Sequence, residues 1–118
     1  MTRRLVPLVA GLLVLAACGS GGSDDRQGGS DGELACTLVR MLPDPMPDPP
    51  ADKSSDRSWD VAVGRLGATA ELARVAALED KKYQPLADAL ATARQTFSTT
   101  FDLRRAEPGI EQARTHCS

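Results

Sequence analysis

Apolar residues follow two patterns along this 118-residue chain. Residues 5–17 form one uncharged apolar run, interrupted only by Pro7 and Gly11. Residues 19–32, GSGGSDDRQGGSDG, hold no apolar side chain. From Glu33 onward, apolar positions recur every three or four residues, the period of an amphipathic helix. Leu34, Leu38 and Leu42, with Cys36, Val39 and Met41 beside them, predict a first helix over 33–42, stopped by Pro43. A second helix is predicted over 57–80, capped by Ser55 or Asp56. One of its stripes runs through Trp59, Ala62, Val63, Leu66, Ala70, Ala73 and Ala77; the adjacent one holds Val61, Ala68, Leu72 and Val75. So wide an apolar arc marks the central element. After a turn at 81–84, Pro85 opens a third helix, 85–104, with Leu86, Leu90, Ala93, Phe97 and Phe101 inward and Ala87 and Ala89 flanking. The hydroxyl-rich stretch from Thr96 to Thr100 is weakly helical, which predicts fraying there. A turn at 104–107 leads to a last helix, 108–116, which sets Ile110, Ala113 and Cys117 inward.

No segment alternates with period two long enough to argue a sheet. The fold class is therefore all-α: a small bundle of three or four helices over residues 33–118. Residues 18–32 precede it as a disordered Gly/Ser-rich tether, since a stretch without apolar side chains cannot offset the entropy of ordering. Between the first two helices lies PDPMPDPP, residues 43–50, with five prolines in eight positions. That composition predicts extended polyproline II. It serves either as a stiff strap across the bundle or as a ligand for a groove in another protein, and the strap is the simpler reading. Gly64 and Gly67 lower the helix propensity of the second helix, and they read as a packing feature that lets a neighbouring helix approach.

The first apolar run has 13 residues, too few for a hydrocarbon core that needs about 20. Arg3 and Arg4 precede it and small residues end it, the order of an export signal. At its end stands Leu15-Ala16-Ala17-Cys18. This tetrapeptide resembles the lipobox of bacterial lipoproteins, a resemblance that covers residues 1–20. It implies cleavage of residues 1–17 between Ala17 and Cys18, and a diacylglycerol with palmitate-type chains joined to the Cys18 thiol. The protein is then expected at the cell membrane, anchored by lipid and facing the extracytoplasmic side. Each buried CH₂ contributes roughly 0.8 kcal/mol, so two or three chains make a lasting anchor. The start Thr2-Arg3-Arg4-Leu5-Val6 also resembles a twin-arginine signal, from which it departs at Pro7.

Composition narrows the rest. The aromatics are Trp59, Tyr83, Phe97 and Phe101, so the core must be built from Ala, Leu and Val. A small domain with such a core gains from a cross-link. Apart from Cys18 the cysteines are Cys36 and Cys117, and a pair in an exported chain predicts a disulfide. Loss of Arg3 and Arg4 takes the basic count from 14 to 12 against 16 acidic residues, a net charge of −4. That balance argues against nucleic acid, which calls for a basic patch. His116 is the single histidine, so no metal ligand set of the usual spacing exists, and no cofactor motif is present. No hydrolase, metalloprotease or phosphate-loop motif occurs. Glu71, Glu79, Asp80 and Asp88 read as solvated helix faces, and Arg104 and Arg105 complement a helix C-terminus. The expected function is non-enzymatic: an envelope lipoprotein that binds or scaffolds another envelope protein. The alternative is a helical lipoprotein that binds a small apolar ligand.

Overall fold

The computed structural model describes residues 30–51 and 57–118. Ala17, Cys18, the export signal, residues 18–29 of the tether and the cap candidates Ser55 and Asp56 lie outside the described residues. Among the described residues four α-helices form one bundle: α1 (Asp31–Met41), α2 (Arg57–Glu79), α3 (Gln84–Thr100) and α4 (Glu107–His116). One-turn 3₁₀ segments, Lys81–Tyr83 and Leu103–Ala106, join α2 to α3 and α3 to α4. Among the described residues there is no strand, and no helix is long and apolar enough to cross a membrane.

Local chemistry sets the helix ends. Ser30 caps α1: its hydroxyl accepts from the Glu33 N–H, and its own N–H donates to the Glu33 carboxylate at 3.0 Å. This reciprocal capping box satisfies two backbone donors and starts the helix at Asp31, ahead of the expected Glu33. Ser30, Asp31 and Gly32 therefore belong to the folded unit and not to the tether. The α3 helix stops at Thr100, short of the expected Arg104, because Phe101 takes a left-handed conformation with φ 54°. Asp102 then caps the following turn through the Arg104 N–H. The hydroxyls near the end of α3 reach back instead of loosening it. Ser98, Thr99 and Thr100 each donate to the carbonyl four residues earlier.

Short connections make α2 and α3, and α3 and α4, neighbours, while α4 closes the ring against α1. Half of the buried apolar residues are alanines, and Val39, Leu66, Leu86, Leu90, Leu103 and Ile110 supply the large buried volume. Five positions expected on apolar stripes lie outside: Ala68 is exposed, and the larger Leu34, Met41, Val61 and Phe101 are 43–67 % exposed. Each sits at the edge of its helix's apolar arc, where a bundle of narrow alanine seams has no room.

The glycines divide against expectation. A Cβ at Gly64 or Gly67 would meet nothing within 4 Å among the described residues, so that pair admits no neighbouring helix. The close crossing is at Gly109, where a Cβ would stand 2.7 Å from the Ala89 carbonyl oxygen. Gly32 plays the same part for the Tyr83 ring, which a Cβ there would overlap.

Residues 43–50 are a strap. The chain leaves α1, lies along α4 and then leads to α2. Met46 is buried, and its N–H donates to the Glu107 carboxylate at 2.8 Å. Arg114 donates to the Pro43 carbonyl at 2.9 Å and pairs with Asp44; Arg104 pairs with Asp48. The Asp44–Pro45 peptide is cis.

Candidate functional site

The sequence singled out Cys36 and Cys117, and the fold brings them together. Cys36 lies on the inner face of α1, and Cys117 is the residue that ends α4. Their sulfurs are bonded, with Cα atoms 5.3 Å apart. Both are nearly buried, and Arg40 donates to the Cys117 carbonyl at 2.9 Å across the same junction. His116 stands beside the bridge, with its ring 6.2 Å from that of Tyr83. These groups border a recess of about 290 Å³ between α1 and α4. The bridged thiols offer neither nucleophile nor metal ligand. Among the described residues no group of three or more His, Cys, Asp or Glu side chains is placed to hold a metal ion.

A larger groove, about 380 Å³, runs between α2 and α3 on the solvent side. Ala70, Ala87 and Ala91 form its floor, and the charged and amide side chains of both helices rise around it. It exists because α2 and α3 meet through alanines: the short side chains sink the seam below the longer ones at its rim. Arg74 donates twice to one oxygen of Glu71, at 2.6 and 3.1 Å. The hydrogen bond, then the charge, of Arg74 hold the Glu71 carboxyl below its ordinary value, and Glu71 in turn raises Arg74. A depressed carboxyl contributes stability above its unfolded value of 4.5 and loses it as pH falls through the folded one. Both side chains are more than half exposed, so water screens this pair. Across the groove Gln84 donates to Asp88 at 2.8 Å. The Arg94 guanidinium makes no ion-pair contact among the described residues, though its charge adds to the lowering of the Glu71 carboxyl.

Comparison with protein-family models, curated proteins and solved structures found no match to this chain. The groove's own chemistry is what remains to read. An alanine floor accepts a small apolar group without a matching deep pocket. Arg94 offers up to five N–H donors to a carboxylate or to chain carbonyls.

The sequence did not single out this site. Periodicity puts Ala70 in the core stripe, Ala87 at its flank and Glu71 and Asp88 on solvated faces, and it marks neither Ala91 nor Arg94. A pairing of alanine-only stripes on consecutive helices was the signal that marks a shallow seam.

Proposed function

We propose that this chain is a lipid-anchored envelope lipoprotein whose helical domain is a non-enzymatic protein-binding module. The observation that carries the reading is the α2–α3 groove, an open apolar floor edged by Arg94, which makes no ion-pair contact among the described residues and acts on Glu71 only through its charge. An open trough suits a segment of another protein better than an enclosed small molecule, which sites of several hundred Å³ usually surround. The partner segment lays a small apolar side chain on Ala87 and Ala91 and gives a carboxylate or carbonyl to Arg94. The lipobox at Leu15–Cys18 supports the anchor on Cys18, which places the groove within reach of other proteins at the extracytoplasmic face.

The test is cross-linking in the native cells followed by purification from the membrane fraction. One protein recovered in near-equal amount, and lost with Ala91→Trp, supports the module. Ala91 is exposed, so the large ring fills the groove without entering the core. Recovery unchanged by Ala91→Trp removes the groove from the reading. A lipid or small molecule co-purifying in place of a protein overturns it in favour of ligand binding. Separately, Cys18→Ala moves the protein to the soluble fraction; persistence at the membrane rejects the anchor.

A further inference from the structure

The outer face of α2 is open to solvent along its middle, with Leu72 at its edge packed against the core. It is centred on Ala68, the midpoint of Arg57–Glu79. Val61, Gly64 and Ala68 are exposed along it, Leu72 and Val75 are half-buried, and among the described residues nothing comes within 4 Å of a Cβ at Gly64. Ordinary surface helices present charge here, so an apolar stripe on this side is unusual.

The charges around the stripe have an order. Arg57 is the first residue of α2 and Glu79 the last. Each stands at the end of the helix where the macrodipole disfavours it, since anions favour the N-terminus and cations the C-terminus. Neither has an ion-pair partner among the described residues.

Both features are resolved by one occupant. We infer that the outer face of α2 pairs with the same face of a second copy of this chain, antiparallel, about a two-fold axis at Ala68. A two-fold contact requires self-complementarity. Counting equal steps from Ala68 gives it. Arg57 meets Glu79, eleven positions out on either side; Val61 meets Val75, seven out; Gly64 meets Leu72, four out. Three out, Arg65 meets Glu71. Both of these cations find an anion, and Leu72, which already packs against the core of its own chain, lies beside the opening left by a glycine. The helix dipoles run opposite, so each misplaced end charge sits beside a terminus of the favourable sign. The inner pair is partly engaged already, Arg65 with the Met41 carbonyl and Glu71 with Arg74. The free outer pair therefore carries the orientation. A single helix about 35 Å long makes a small contact, in the range of weak and transient association.

The full chain, purified in detergent, tests this with disulfide trapping. Ala68→Cys lies on the axis and should cross-link to itself, shown by a linked pair of peptides containing position 68. Gln112→Cys, exposed on α4, should not. In the Ala68→Cys chain, Arg57→Glu or Glu79→Arg alone should slow trapping about tenfold, because each turns two attractions into repulsions. The two changes together should restore it. Both single changes improve the fit to the helix dipole, so α2 stays formed, and circular dichroism checks this. Equal trapping at both positions, no trapping at position 68, or a double change no better than the singles overturns the inference. So does a cross-link from position 68 to a different protein or to residues 1–29.

Discussion

Phe101 holds the backbone in the left-handed region at φ 54° with its ring two-thirds exposed. Such a conformation costs a non-glycine residue roughly 1–2 kcal/mol. The ring recovers part of this edge-on against Phe97, which in turn meets Trp59. Phe101→Gly should hold or raise the melting temperature, whereas Phe101→Val, β-branched and without the ring contact, should lower it by several degrees. Thermal denaturation of the two variants side by side checks the order, and a Val variant as stable as the Gly variant contradicts it. Spacing hides this stop, because Phe101 falls in phase with Leu86, Leu90, Ala93 and Phe97. Periodicity counts positions; it does not register one residue whose backbone has changed hand.

Among the elements, helix number and order follow directly from spacing and from proline. Pro43 ends the first helical pattern, and Pro85 and Pro108 sit in the first turns of α3 and α4. What spacing could not show is which small residues face a neighbour. Gly64, Gly67 and Gly109 look alike in sequence, and only Gly109 lies under another helix. Gly67→Ala should stabilise the fold by about 0.5–1 kcal/mol, since alanine is the better helix former and its Cβ meets open space. Gly109→Ala should cost about 1–3 kcal/mol, as the added methyl drives α4 off the Ala89 carbonyl. Urea unfolding of both variants reads the difference; the same sign for both would refute the assigned α3–α4 crossing. The groove escaped the sequence for a related reason. Its floor is made of the same residue type as the core, and exposure of Ala91 depends on where α2 stops covering α3.

For the whole molecule, an alanine-rich core supplies little buried area per residue, and the Cys36–Cys117 bridge compensates. It spans 81 positions, and closing a loop of that size removes about 4.5 kcal/mol of unfolded-state entropy. The double variant Cys36→Ala, Cys117→Ala should lose about 2–5 kcal/mol by denaturant titration. A loss below 1 kcal/mol would mean that the helices close without it. The pairing was legible once the lipobox resemblance set Cys18 aside, which leaves Cys36 and Cys117. Its geometry was not, because the strap that lies on α4 decides how α1 and α4 come to face each other.

The bridge has a mechanical consequence. It joins a residue six positions from Ser30 to one next to Ser118, so tension applied between these ends travels through the sulfurs. Residues 37–116, with the core, the strap and the groove among them, lie on a slack branch that bears no load. A pull between the two ends loads only the first turns of α1, residues 31–36, and spares the rest of the fold until the sulfurs part. In a single-molecule pulling experiment, adding a reductant should release about 270–290 Å of hidden chain, at 3.3–3.6 Å for each of the 81 steps. Whatever drags on this domain from its N-terminal side meets a short covalent link first and the helices second.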